Sequence, residues 1–461
     1  MDAVILQSLG GAETVTGSKH FLTTPSLNVL IDCGLFQGIK SLREQNWQKL
    51  PIPVGDIDVL ILTHAHLDHC GYIPLLVKKG FRGKIYSSEP TRDLARLIML
   101  DSAKIQEEDA ARANRFRYSK HSTALPLYTV KDAENSLELF KAVSFNELIT
   151  LNEHISFMIK PSGHILGAGS VSMMCYGHTI VFSGDIGRLS SQLLESPDYF
   201  TTADYVIMES TYGDKLHSTE DPAEQLSDII NETVKLKGNI LIPTFAVGRA
   251  QELMFMITKL KKEKKIPSQI PVFLDSPMAA EATKISDKYA GFFKVDKQDW
   301  LSIKEGVTIN SDFQQTEEII QRKGSKIILA ASGMLTGGRV LEYLKHYVSD
   351  QKNVVLLMGY QAEGTRGRAL QNRNHELKIH GAYYPVHVRV REITGLSAHA
   401  DQSELLHWLS KFVNRPQQVI LVHGEHNALE TLRVKIKDTF NIPVKIMKPN
   451  QQNVLFFCEP V

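Results

Sequence analysis

Three histidines and an aspartate stand within six residues in His64-Ala65-His66-Leu67-Asp68-His69. Alternate spacing points His64 and His66 the same way, while Asp68 and His69 continue the turn towards a neighbouring point. Two adjacent metal ions fit this better than one. Imidazole and carboxylate are borderline-to-hard ligands that suit zinc, manganese or iron without any thiolate. A lone His-x-His pair is more often structural, but four such donors directly after an apolar strand reverse that balance. A complete dinuclear site needs more ligands, one of them shared. The candidates are His164 in Ser162-Gly163-His164-Ile165-Leu166-Gly167, Asp185 in Ser183-Gly184-Asp185-Ile186-Gly187, and His423 in Val422-His423-Gly424. Each is flanked by glycine or small residues that let backbones approach closely.

These groups need a frame. Short apolar runs recur as strand candidates: Val29-Leu30-Ile31, Val59 to Leu62, Ile180 to Phe182, Val206 to Met208, Ile240 to Ile242, Ile327 to Leu329, Val354 to Leu357 and Val419 to Val422. Met1 to Gln7 reads as a first strand rather than a signal sequence. Amphipathic helical stretches lie between them, among them Thr91 to Ala113, Pro222 to Lys235, Gln251 to Lys264 and Ser403 to Phe412. The expected class is α/β or mixed α+β. Asp32, the His64 to His69 cluster, Asp185, Glu209 and His423 all sit just beyond apolar runs, where α/β sheets gather ligands.

Length and composition bound the rest. At 461 residues the chain exceeds what one core sustains, so two or three lobes are expected. A net charge of +1 excludes a whole-molecule attraction for polyanions, so any phosphate affinity must be local. Cys33, Cys70, Cys175 and Cys458 form no CxxC pair, which points to a reducing, cytoplasmic setting. No apolar run is long enough for a membrane span. The Lys259 to Lys265 charge run reads as a solvated helix end.

The motifs resemble the metallo-β-lactamase superfamily, whose fold is an αββα sandwich with a dinuclear site along one edge. Asp32 looks like the first motif, supporting the histidine loop from behind; His64 to His69 is the second, His164 the third and Asp185 the fourth. The remainder resembles the β-CASP branch, which acts on nucleic acids and carries an inserted α/β domain. Glu209 in Glu209-Ser210-Thr211-Tyr212-Gly213 looks like motif A, His399 in Ser397-Ala398-His399-Ala400-Asp401 like motif B, and His423 like motif C. Pro243 to Glu252, Asp275 to Ala279 and Gly359 to Arg368 are also similar to β-CASP sequences. The resemblance implies a metallo-β-lactamase domain over residues 1–210 and 394–461 with the β-CASP domain inserted at 211–393.

It further implies that one metal takes His64, His66 and His164, the other Asp68, His69 and His423, with Asp185 bridging. Zinc is the first choice, manganese or iron the alternatives. A metal-bridging hydroxide would attack the phosphodiester, with Asp68 counted among the catalytic groups and His399, oriented by Glu209, protonating the leaving oxygen. Histidine at motif C resembles the RNA-processing members. The function implied is an endoribonuclease, with 5′ to 3′ exonuclease action as an added mode, leaving 5′-phosphate and 3′-hydroxyl. Ser332, Gly333, Gly337, Gly338 and Arg339 precede a helical stretch and are candidates for holding substrate phosphate. Arg249, Arg366, Arg368 and Ser397 join them. The competing functions are a structure-specific DNA nuclease, a small-molecule hydrolase and a catalytically silent RNA-binding scaffold. A homodimer is compatible by resemblance.

Overall fold

The computed structural model describes residues 2–117, 122–359 and 361–458. Met1, at the head of the expected first strand, and Tyr360, within the Gly359 to Arg368 stretch, lie outside the described residues. The chain forms two compact units. One comprises Met1–Leu189, Ser196–Leu216 and His399–Val461, the other Ser190–Glu195 and His217–Ala398.

The first unit is built on two seven-stranded sheets. In the first, the strands run Gln452–Phe457, Ala3–Gly10, Lys19–Thr23, Val29–Ile31, Val59–Ile61, Lys84–Ser88 and Phe140–Val143. In the second, they run Val444–Ile446, Gln418–Leu421, Tyr205–Met208, His178–Phe182, Gly169–Cys175, Ile155–Pro161 and Ile149–Thr150. Successive strand residues face opposite ways, and the cores follow that period. Ile180, Phe182, Ile207 and Ile420 enter a core shared with Val4, Leu6, Val29 and Ile31 of the first sheet. Their neighbours Val181, Val206, Met208, Val419 and Leu421 face the other way, onto Leu405, Trp408, Leu429 and Leu432 of the helices Gln402–Leu409 and His426–Phe440. Strands covered on both faces must be apolar throughout, which explains why they read as unbroken hydrophobic runs. The helix Glu89–Phe116 packs against the strands Lys84–Ser88 and Phe140–Val143 of the first sheet. The layers are therefore αββα.

Parallel register aligns the strand ends that carry chemistry. Ile31 pairs with Ile61, so Asp32 and Thr63 emerge together. In the second sheet Phe182 pairs with Ile207, and Met208 with Leu421, so the segments bearing Asp185, Glu209 and His423 leave one edge side by side.

The second unit holds a parallel six-stranded sheet in the order Thr308–Asn310, Val272–Asp275, Ile327–Ala330, Ile240–Pro243, Val354–Met358 and Arg389–Ile393. Leu241, Ile328, Val355 and Leu357 pack onto Val340, Leu341, Tyr343 and Leu344 of the helix Val340–Tyr347. Among the described residues, no helix is long and apolar enough to cross a membrane.

Candidate metal centre and acid pair

The His64 to His69 turn is clamped by backbone. Ser18 N–H donates to Asp68 O at 2.9 Å, Cys33 N–H to His69 O at 2.7 Å and Leu35 N–H to Leu67 O at 3.0 Å. The contact is so tight that a Cβ on Gly34 would lie 1.6 Å from Asp68 O, so only glycine fits there. Gly169 N–H donates to Thr63 O, while the hydroxyls of Ser88 and Thr91 donate to Gly167 O, fixing the loop that carries His164. Asp32 and His423 both adopt positive φ, 60° and 49°, a cost a protein bears where side-chain aim matters.

Seven side chains converge here. His66 Nδ1 lies 3.1 Å from both His64 Nε2 and His164 Nε2. One ring nitrogen carries either a proton or a lone pair, so it cannot hydrogen-bond both neighbours in full. His423 Nε2 lies 3.3 Å from His69 Nε2 and 3.4 Å from Asp68 Oδ2. Asp185 stands between the two sets: Oδ2 is 3.4 Å from His64 Nε2 and 3.5 Å from His164 Nε2, and Oδ1 is 3.4 Å from His69 Nε2. The ligand atoms of His64, His66, His164 and Asp185 fall within 4.8 Å of one another, as do those of Asp68, His69 and His423. Asp185 is 2% exposed, yet among the described residues its Oδ1 has no hydrogen-bond partner. A buried carboxylate oxygen without a donor is costly. Imidazole lone pairs around such an oxygen form a donor set that suits divalent cations, so the residues fit metal.

The surrounding groups set the tautomers. Asp32 Oδ2 accepts from His69 Nδ1 at 2.8 Å, while the Asp32 carboxylate also takes the N–H and hydroxyl of Thr63. The hydroxyls of Thr63 and Thr211 lie 3.1 Å from Nδ1 of His64 and His423 respectively. Each bond leaves Nε2 turned to the centre, the usual outer support of metal-binding histidines. Burial pulls the His69 pKa down, but the carboxylates of Asp185 and then Asp32 lift it to about 10. Burial lowers His66 to about 4 and sends His64 well below the ordinary range. Thus the cluster has an unmet demand for positive charge, and His64 and His66 give up protons readily while His69 is held protonated by the carboxylates around it.

His399 and Glu209 lie beside this cluster. Ala400 N–H donates to Ile186 O at 2.8 Å, and His399 forms an isolated bridge with Gly187. His399 Nδ1 is 3.1 and 3.2 Å from the Glu209 oxygens, and its Nε2 is 3.9 Å from Asp185 Oδ2. Glu209 is 1% exposed and accepts from Ile186 N–H and Thr211 N–H. Burial disfavours the imidazolium, but Glu209 and then Asp185 outweigh it and hold His399 at about 9. The Glu209 carboxyl is correspondingly lowered by His399 against its own burial.

The candidate substrate residues separate into two kinds. The four guanidinia are engaged within the second unit. Arg339 binds the buried Asp275 at 2.6 Å and the carbonyls of Ser311 and Asp312; Arg249 pairs with Glu252. Arg366 donates to the carbonyls of Leu335, Thr336 and Lys378, and Arg368 meets Glu363 and Gln371. Ser332 Oγ lies 2.9 Å from Thr336 Oγ1 and accepts from Thr336 N–H. A Cβ on Gly333 or Gly338 would approach Phe245 at 3.1 Å or Ala331 O at 2.7 Å, whereas Gly337 faces open space. Ser397 is buried. Ser18, Gly34, Thr63 and Thr211 are site residues that donor-type motifs overlook; Gly34, Thr63 and Thr211 are signalled by their closeness in the chain to Asp32, His64 and Glu209, whereas nothing local signals Ser18.

Three family models match: a Metallo-beta-lactamase superfamily domain over residues 21–211, a Beta-Casp domain over 250–370 and a Zn-dependent metallo-hydrolase RNA specificity domain over 383–447. Ribonuclease TTHA0252 of Thermus thermophilus is 33% identical over 430 residues, 92% of this chain and 94% of that protein. Transcription termination factor FttA of Methanocaldococcus jannaschii is 32% identical over 467 residues, 95% of this chain and 70% of that one. A crystal structure of a protein of unknown function from Enterococcus faecalis has a TM-score of 0.53 at 13% identity, covering 98% of this chain and 100% of that one, a likeness of fold alone. Sheet pair, histidine cluster and family model together define a metallo-β-lactamase-type hydrolase fold. Within that superfamily the chain belongs to the β-CASP ribonuclease family.

Proposed function

We propose that the chain is a metal-dependent ribonuclease that hydrolyses RNA phosphodiester bonds internally, and in a second mode from the 5′ end, leaving 5′-phosphate and 3′-hydroxyl. The observation that carries this reading is the His399–Glu209 pair set against Asp185 in the histidine cluster. A hydrolase of activated small molecules needs no such acid; a poor alkoxide leaving group does.

His64, His66 and His164 would hold one ion, Asp68, His69 and His423 the other, and Asp185 both; histidine and carboxylate favour zinc, with manganese or iron as alternatives. When bound, the ions would supply an activated water near neutral pH and neutralise phosphate charge. Asp32 orients His69 and holds it in the ligating tautomer. His399 presents its Nε2 proton to the leaving 3′-oxygen, because Nδ1 is committed to Glu209. With a pKa of about 9 it is charged at neutral pH.

We assign RNA-backbone contact to Ser332, Gly333, Gly337, Gly338 and Ser397. Arg249, Arg339, Arg366 and Arg368 join them, while their contacts within the second unit hold the loops that carry them. We take residues 211–393 as the inserted domain between the two metallo-β-lactamase segments. The test is cleavage of 5′-labelled RNA beside the matched DNA strand, with metal analysis and light scattering of the same preparation. The expected result is RNA fragments ending in 3′-hydroxyl, two ions per chain and a homodimer; faster cleavage of DNA would overturn the substrate.

A further inference from the structure

The chain passes between the two units at four points, after Leu189, Glu195, Leu216 and Ala398. His399, the group assigned the proton transfer above, is therefore the first residue after one of them. Its backbone rests on the Asp185 turn through a short contact, the Gly187 bridge and the Ala400 to Ile186 hydrogen bond. So brief a pairing needs reinforcement to hold an imidazole to a few tenths of an ångström.

The first turn of the helix Gln402–Leu409 supplies it. Glu404 closes a capping box with Asp401, accepting from Asp401 N–H at 3.0 Å while Asp401 Oδ1 accepts from Glu404 N–H. The same carboxylate accepts from Leu189 N–H at 3.0 Å and from Arg188 Nε at 3.1 Å. Arg188 and Glu404 side chains are only 13% and 11% exposed, so the charges are poorly screened. Next to it, Gln402 N–H donates to Lys215 O at 3.0 Å and Gln402 Nε2 to Gly213 O at 2.6 Å. One helix start thus anchors the chain beside three of the four crossings. Gly187, in the clamped turn, lies so close to the His164 loop that a Cβ would fall 2.0 Å from Gly163 O.

We propose that Glu404, through Arg188 and Leu189, is a positioning residue for His399: it locks the helix that follows the general acid to the turn that carries Asp185. Gln402 extends the lock to the segment after Glu209. The inference rests on the general-acid reading of His399. Displacement of the acid should slow only reactions whose leaving group needs a proton.

The test compares RNA with bis(p-nitrophenyl) phosphate, whose leaving group needs none, in wild type, Glu404→Gln, Arg188→Ala, the double variant and His399→Ala. Glu404→Gln keeps an oxygen for the capping box, so the fold should survive; metal content and melting temperature verify it. The expected result is a ten- to hundred-fold fall in kcat on RNA with KM within about twofold, nitrophenyl ester turnover unchanged, and a double variant no worse than either single one. Equal losses on both substrates, additive losses, or no loss on RNA would each overturn the clamp. His399→Ala separates the two ideas: if it spares RNA turnover, the acid assignment fails, whatever Glu404 does.

Discussion

Replacing Glu209 by glutamine tests the acid pair most directly. The change is nearly isosteric and keeps an oxygen for Ile186 N–H, but it removes the charge 3.1 Å from His399 Nδ1. Lifting a histidine from its ordinary 6.5 to about 9 corresponds to about 3 kcal/mol in favour of the imidazolium. Without Glu209, the largest influence that raises it against burial, the value should fall, and a return to the ordinary 6.5 sets the scale of the effect. At pH 8 the wild-type acid is then about 90% protonated and the variant's about 3%, so kcat on RNA should fall about thirty-fold. At pH 6 both are mostly protonated and the two enzymes should agree within about twofold. The assay is a kcat profile from pH 5.5 to 9.5 at saturating RNA and fixed metal. A variant with the wild-type alkaline limb, or one equally slow at every pH, would refute the argument. The stability sign follows the same shift. A raised histidine stabilises the fold fully below about 6.5 and loses that contribution as pH climbs through about 9, so the melting temperature of wild type should fall over that window more than that of the variant.

Asp185→Asn removes the carboxylate shared by both ligand sets; metal analysis should show fewer than two ions per chain and RNA cleavage should vanish, with circular dichroism unchanged, and a fully metallated, active variant would contradict the shared-ligand role. Asp32→Ala should cost about ten- to a hundred-fold in metal affinity, read by chelator competition, because His69 loses its acceptor and Thr63 two bonds. Gly34→Ala should destabilise the protein by about 3 kcal/mol or more, measured by denaturant titration, since its Cβ cannot coexist with Asp68 O; a variant within 1 kcal/mol of wild type, about the typical mutational effect, would show that the loop has room to move.

The fold was legible where strands are buried on both faces. Val29–Ile31, Tyr205–Met208, Ile240–Pro243 and Ile327–Ala330 are unbroken apolar runs, and the helix Pro222–Lys235 matches its amphipathic period end to end. Ile155–Pro161, whose residues alternate between buried and half-buried, and Gly169–Cys175, where Ser170 and Ser172 interrupt the apolar residues, carry no such run. The partners of the arginines are hidden for a different reason. Guanidinium invites a phosphate reading, but nothing local reveals that Asp275 waits 64 residues before Arg339.

What the sequence alone determined is the chemistry on offer: three histidines and an aspartate on one turn, small residues flanking His164, Asp185 and His423, and polar donors placed just past apolar strands. Local periodicity suffices for that, because it sets which residues end a strand and which face they take. Only the tertiary structure decided the company each donor keeps. His69 meets His423 across 354 positions, Glu209 meets His399 across 190 and Arg188 meets Glu404 across 216. Those meetings depend on strand order and register, which are fixed by burial of whole faces rather than by any neighbouring residue.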